Sequence, residues 1–273
     1  MLNKVFRIKI YQPQAHYRLP FTYQRRHTYP IVPYSTFKGL LCNILGIRGY
    51  TYGENPEDNP DFRKLKQLKI SICGRFESKS TEYTWFRNLE RESHIKRFGS
   101  VQTRSINGTI QHIGGQIPVL IDILNDVRTI VYLYYEDTTK DGEIFIEKIR
   151  QNFENPTNRL YPLYLGRAED WFVIEDIRDD IELTSERIDA DFDYFFWIPE
   201  NIWLPDSDID FDYNKIDGLC YRLSTFYEYQ DGVRNFNYIS VKLNDGLVRD
   251  VDFLYDTESK IPVFFANLNG GKT

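Results

Sequence analysis

Hydrophobic and polar residues alternate from Lys4 to Tyr11, which predicts a first strand with Arg7 and Lys9 on a solvated face. The next segment, Gln12 to Pro33, is polar, basic and aromatic, and its prolines at 13, 20 and 30 argue against a helix. Phe37, Leu40, Leu41, Ile44 and Leu45 then share one stripe at helical spacing. A helix is predicted over Thr36–Leu45, with Ser35 as its N-cap and Gly46 as its stop. Residues 53–60 read as a loop, 62–69 as a short helical turn and 68–76 as a second strand, whereas 78–98 are polar and show no clear period. Asn107-Gly108 is a strong type I′ hairpin signal, with residues 101–106 and 109–113 as its arms. A strand over 129–135 follows. Next come a helix over 144–153, with Ile144, Phe145, Ile149 and Phe153 inward, and a strand over 171–177.

That order is strand, helix, strand, hairpin, strand, helix, strand: the βαββαβ order of a ferredoxin-like unit, the topology of RNA-recognition domains. After Asp180 only strands are expected, at 219–229, 238–243, 251–255 and 261–265, with turns at Asp217-Gly218, Asp231-Gly232 and Asp245-Gly246. The expected fold class is α+β. A ferredoxin-like (RRM/RAMP-type) domain over residues 1–180 carries an inserted β-hairpin thumb at 99–118, and a smaller β-rich domain spans 181–273.

Charge changes this picture more than composition does. The net charge of −6 divides into +9 over residues 1–167 and −15 over 168–273, which suggests a polyanion on one side and protein subunits on the other. No apolar run approaches the ~20 residues of a membrane span, and the N-terminal residues lack the apolar core of a secretion signal. Cys42, Cys73 and Cys220 make neither a disulfide framework nor a zinc site, so a reducing, cytoplasmic setting is expected. The four histidines lack metal-ligand spacing. The alternating Asp206, Asp208, Asp210 and Asp212 lack the glycine and glutamate of a calcium loop. Neither a metal nor a cofactor is expected.

Candidate chemistry gathers in two segments, Thr28–Leu41 (TYPIVPYSTFKGLL) and Leu160–Asp170 (LYPLYLGRAED). The first brings backbone N–H groups and Lys38 to the start of a helix, which suits a phosphate. The second puts a glycine and Arg167 in the loop before a strand, where a backbone can approach a ligand closely. Ordinary capping and turn chemistry would explain either segment alone. Between the first strand and the helix, Tyr17, Arg18, Arg25, Arg26 and His27 belong to a basic-aromatic stretch of the kind that neutralises phosphates and stacks on splayed bases. Arg97, Arg104 and His112, on the approach to and arms of the hairpin, have the same standing.

Together and in this order the two segments resemble the fifth family of CRISPR-associated proteins (Cas five), particularly the type I-B forms. The matching residues are Arg18, Pro20, Tyr29-Pro30, Pro33, Ser35-Thr36, Lys38-Gly39-Leu40-Leu41 and Gly46, then Tyr161-Pro162-Leu163 and Leu165-Gly166-Arg167. The resemblance covers roughly residues 1–177 and weakens through the hairpin. It implies a non-catalytic subunit that caps one end of the Cascade complex, grips the 5′ handle of the crRNA, contacts the large subunit and the first backbone subunit, and meets target DNA only indirectly. The alternative is the type I-C behaviour, metal-independent cleavage of precursor crRNA by Tyr, Lys and His. Tyr34 and His112 could be placed near those roles, but Gln111 stands where the lysine is wanted.

Overall fold

The structure is a computed structural model, and it describes residues 2–23, 25–87, 105–106, 109–110, 116–205, 209, 211–230 and 233–269. In chain order the first half contains β1 (Leu2–Ala15), β2 (Tyr17–Arg18), β3 (Arg25–Arg26), β4 (Thr28–Tyr29), α1 (Tyr34–Ile44), α2 (Pro60–Gln67), β5 (Lys69–Arg75), β6 (Ser78–Arg87), β7 (Ser105–Ile106), β8 (Thr109–Ile110) and β9 (Gln116–Tyr134). The second half contains α3 (Lys140–Glu154), β10 (Val173–Asp191), β11 (Phe195–Pro199), β12 (Ile202–Trp203), β13 (Leu219–Gln230), β14 (Val233–Asn244), β15 (Leu247–Asp256), β16 (Ile261–Val263) and β17 (Phe265–Asn267). The fold is α+β and mostly sheet.

Among the described residues thirteen strands form one sheet with the path β13-β14-β11-β5-β9-β1-β10-β15-β16. Its centre, β5-β9-β1-β10, is antiparallel throughout. Strands from the acidic half extend both sides of this centre, β11 on β5 and β15 on β10.

The alternation in β1 decides how the sheet is covered. Phe6, Ile8 and Ile10 face α1 and α3, packing in a core with Phe37, Leu40, Leu41, Phe145, Ile149 and Phe153. Val5 belongs to a second core with Tyr132, Phe253, Leu254, Phe264 and Phe265. The face expected to be solvated is therefore covered, and Arg7 is only 1% exposed.

Helix α1 begins at Tyr34, two residues earlier than expected, after Pro33, with no side-chain cap. Ser35 lies inside its first turn, where its hydroxyl accepts a hydrogen bond from Ser224 (3.1 Å). The helix does end as expected, at a Gly46 with φ +69°, a conformation glycine adopts without steric cost. In α2 the cap is Asn59, whose side chain accepts from the N–H groups of Asp61 and Phe62, with Pro60 at the first helical position. Ile144, expected inward, is exposed on α3, because the helix begins at Lys140 and its buried stripe runs through Phe145, Ile149 and Phe153.

The patternless stretch after residue 77 supplies a long strand. β6 pairs with the first half of β9 from Ser78↔Asn125 to Arg87↔Gln116. At Asp126, whose φ is +52°, β9 passes from its pairing with β6 to its pairing with β5, and β6 with this first half of β9 makes an arm. The predicted hairpin is present as the short β7–β8 pair, Ser105↔Ile110 and Ile106↔Thr109. Most of the thumb assigned to 99–118, including Asn107, Gly108 and its flanks up to residue 115, lies outside the described residues. Among the described residues no helix is long and apolar enough to cross a membrane.

Candidate nucleic-acid interface

The basic-aromatic stretch folds as a small hairpin laid on the arm. β2 pairs with β4 (Tyr17↔Tyr29, Arg18↔Thr28), and the N–H of Leu19 donates to the carbonyl of His27 (2.9 Å). Its tip holds Phe21 in a left-handed conformation (φ +62°). Phe21 is 84% exposed and Tyr23 73%. β3 then runs parallel to β9, with Arg25 beside Leu120 and Arg26 beside Ile121.

One buried carboxylate, Asp122 on β9, organises this hairpin. It accepts from Arg25 (Nε, 3.0 Å), Nδ1 of His27 (2.9 Å) and the Thr81 hydroxyl of β6 (3.0 Å). Burial opposes its ionisation, but these bonds outweigh burial and hold the carboxyl below its ordinary range. Its backbone carbonyl accepts from Nδ1 of His16 (2.8 Å). A carbonyl can only accept, so Nδ1 carries the proton, and burial keeps the His16 pKa low.

A second buried carboxylate, Asp170, locks the other segment to the same place. It accepts from the N–H groups of His16 (2.9 Å) and Arg167 (2.7 Å). It also pairs with the Arg167 guanidinium (2.8 Å). Gly166 is required here: its φ is +121°, and a Cβ would stand 2.6 Å from the Asp170 carboxylate and 3.0 Å from the His16 carbonyl. The two sequence segments also meet through Asn43, whose side-chain oxygen accepts from the N–H groups of Leu160 (3.0 Å) and Tyr161 (2.9 Å).

The candidate residues thus separate. Arg18 is exposed on the hairpin, with a guanidinium bond to the Thr22 carbonyl (3.3 Å). Arg26 is half-buried and near enough to Arg18 that burial, and then this second cation, lower its pKa. Arg25 and His27 are partly exposed but bound to Asp122.

Three candidates turn inward. Tyr17 is buried, its hydroxyl donating to Gln12 (2.6 Å). Lys38, only 7% exposed, donates to the Thr225 carbonyl (3.2 Å) and lies over the Phe226 ring. Arg167 is held by Asp170, with Glu169 and Glu82 also within 4 Å. Tyr34 is fully buried as well, its hydroxyl directed at the Trp197 carbonyl. Arg97, Arg104 and His112 lie outside the described residues.

Sequence reasoning missed the exposed side of the arm. Tyr83 (61% exposed) and Trp85 (55%) sit two residues apart on β6, with ring centroids 5.9 Å apart and planes at 87°. Tyr83 stands opposite Leu120, itself exposed and paired with Arg25. Thr81, Tyr83 and Trp85 alternate in a run of strand formers, which was the available signal. One face of the arm thus presents the two rings beside Arg25, while Arg26, level with Ile121 and Glu82, belongs to the other face. Among the described residues no group of three or more His, Cys, Asp or Glu side chains is placed to hold a metal ion.

The chain matches, over residues 5–246, the family model described as CRISPR-associated protein (Cas_Cas5). It belongs to the Cas5 family. A chain of a CRISPR RNA-guided surveillance complex is similar in structure, with a TM-score of 0.51 at 10% identity and 91% of each chain covered. A CRISPR protein from Archaeoglobus fulgidus is 12% identical over 96% of this chain and 98% of that one, at a TM-score of 0.40. At such identities the likeness concerns fold, and the argument for a shared fold rests on the first. No curated protein matches the Cas5 chain in sequence.

Proposed function

We propose that this Cas5 chain is a non-catalytic subunit of a type I, I-B-like CRISPR effector complex, and that it binds the 5′ handle of the crRNA. It would cap or nucleate Cascade, contact the backbone and large subunits, and meet target DNA only through the assembly. The observation that carries the reading is the arm, where the exposed Tyr83 and Trp85 rings share a face with Arg25, together with the hairpin laid on it, which carries Arg18, Arg26 and the exposed Phe21 and Tyr23. Cations neutralise phosphates there while exposed rings offer stacking planes to unpaired bases, the combination that single-stranded RNA requires. The strand order β10-β1-β9-β5, with helices between β1 and β5 and between β9 and β10, supports the ferredoxin-like reading of the first 180 residues.

The salt dependence of RNA binding tests the electrostatic part. The double variant Arg18→Gln/Arg26→Gln is expected to bind single-stranded repeat RNA more weakly, with the log–log salt slope shallower by about 1.4, from ~0.7 for each lost phosphate contact. An unchanged slope across a titration from low to moderate salt would remove these arginines from the interface.

Cleavage is the competing activity. Tyr34, the tyrosine considered for it, is enclosed in the core, and burial raises its pKa further. Repeat RNA incubated with the protein, with or without divalent metal, is expected to stay intact. A discrete product ending in a 2′,3′-cyclic phosphate, lost in His112→Ala, would replace this reading with the ribonuclease one.

A further inference from the structure

Away from the Asp122 cluster, the two family segments wall a cleft of about 330 Å³ between α1, residues 47–56 and residues 160–166. That volume is in the range that takes small organic groups. Tyr52 and Tyr161 both line it and contact one another, with ring centroids 6.2 Å apart and planes at 38°. Arg48 lies over the Tyr52 ring (5.7 Å) and also reaches Glu54 (3.4 Å). Tyr227 of β13 forms part of the lining, with Arg234 over its ring (4.9 Å). In a chain of net charge −6 the lining holds two cations and no carboxylate.

Two features of this cleft are not fully used inside the protein. Lys38 lines it, almost wholly buried; it lies over the Phe226 and Tyr227 rings, and the Thr225 carbonyl is the one hydrogen-bond acceptor it reaches among the described residues. An ammonium has three N–H donors, and a buried cation without a carboxylate favours a ligand that supplies oxygen acceptors. Gly39 sits in the interior of α1, where glycine is less stable than alanine. Neither a positive φ nor packing demands it, because a Cβ there would meet nothing within 4 Å. Gly49, on another wall, is equally open, whereas the open Gly53 is explained by its φ of +74°. Room has been kept at Gly39 that the folded chain does not fill.

We propose that the cleft is a base-binding subsite that takes one unstacked nucleobase of the bound RNA. The base lies against Tyr52 and Tyr161, and a base carbonyl accepts from Lys38. Aromatic walls suit a base because every base has a π face, and the cationic, carboxylate-free lining suits its electron-rich oxygens. The proposal rests on the chain being an RNA-binding subunit, and it adds a second contact region separate from the arm and its hairpin.

The test compares the full-length chain with Gly39→Ala, using fluorescein-labelled twelve-residue oligo(U) and oligo(A) RNA. Alanine should leave the melting temperature equal or higher, since it suits the helix better. It should also fill the space of the base, so affinity for at least one oligonucleotide should fall about ten-fold, the scale of one lost stack. The salt slope should stay unchanged, because no phosphate contact is lost. Tyr161→Ala should reproduce the loss, and Tyr161→Phe, which keeps the ring, should restore binding. Wild-type affinity in Gly39→Ala overturns the subsite while leaving the RNA-binding reading intact. If that variant binds RNA normally but no longer copurifies with neighbouring subunits, the cleft takes a protein side chain and the proposal is wrong. If the wild-type chain binds neither oligonucleotide, the functional reading falls and the subsite with it.

Discussion

Arg7→Met is expected to lower the free energy of unfolding by about 3–5 kcal/mol, the range for breaking one side of a buried ion pair. The Arg7 guanidinium donates to Asp256 (2.8 Å), Asp176 (2.9 Å) and the Ser259 hydroxyl (2.7 Å). Asp256 is as buried as Arg7 and also accepts from Tyr132 (2.8 Å) and from the N–H groups of Glu258 (2.9 Å) and Ser259 (3.0 Å). Burial opposes the charge on Asp256, but these bonds prevail and its pKa is depressed. A depressed folded-state pKa contributes stability above the unfolded value near ~4, and that stability is lost as pH falls through the folded value. In Arg7→Met the sign reverses. The carboxyl keeps its burial, loses its cation, and its pKa rises, so stability is lost as pH climbs through the raised value. The gap between wild type and variant should therefore be largest at pH 7 and shrink towards pH 4. Urea denaturation at both pH values measures it, and Arg7→Met/Asp256→Asn should recover part of the loss. A gap below about 1 kcal/mol, or one indifferent to pH, would mean that Arg7 contributes packing rather than charge balance.

Arg7 also shows where the sequence stopped being legible. Its alternation with Phe6 and Ile8 was visible, and it does stand on the face opposite them. What covers that face, the β15–β17 region some 250 positions later, leaves no mark near residue 7. Periodicity located β1, α1, β5, α3, the second half of β9 and most C-terminal strands, because each buries a local stripe. β6 escaped because one side of it faces solvent and carries Tyr83 and Trp85 where a core residue would have announced a strand. The candidate site was legible as a stretch of chain more than as a set of contacts. Composition marked segment 16–29 correctly as basic and aromatic. It could not say that Tyr17 would pack inward or that Asp170 would hold Arg167, because those outcomes depend on partners far along the chain. Lys38 is similar: its place in the first turn suggested a phosphate, and β13 supplied a carbonyl and a ring instead.

Tyr83 and Trp85, the residues the sequence hid, are also those whose loss should weaken RNA binding most. Stacking of an unpaired base on an aromatic side chain is worth ~1–3 kcal/mol by alanine substitution. The double variant Tyr83→Ala/Trp85→Ala should therefore bind repeat RNA roughly 30-fold more weakly or worse, at ~1.4 kcal/mol for each factor of ten. Folding should change little. Both rings are more than half exposed, and the arm's backbone pairing with β9 and the Asp122–Thr81 bond are untouched. The expected stability loss is limited to strand propensity, under about 1 kcal/mol. Three readouts separate stacking from other roles. The salt slope should match wild type, because no cation is removed, whereas Arg18→Gln/Arg26→Gln should flatten it. Tyr83→Phe/Trp85→Phe should retain most of the affinity, because a ring without its polar group still stacks. Fluorescence of Trp85 should be quenched on RNA addition in the wild-type chain. Affinity within two-fold of wild type in the double alanine variant, together with unquenched Trp85, would assign this pair to contact with a neighbouring protein and leave RNA binding to the cationic hairpin alone.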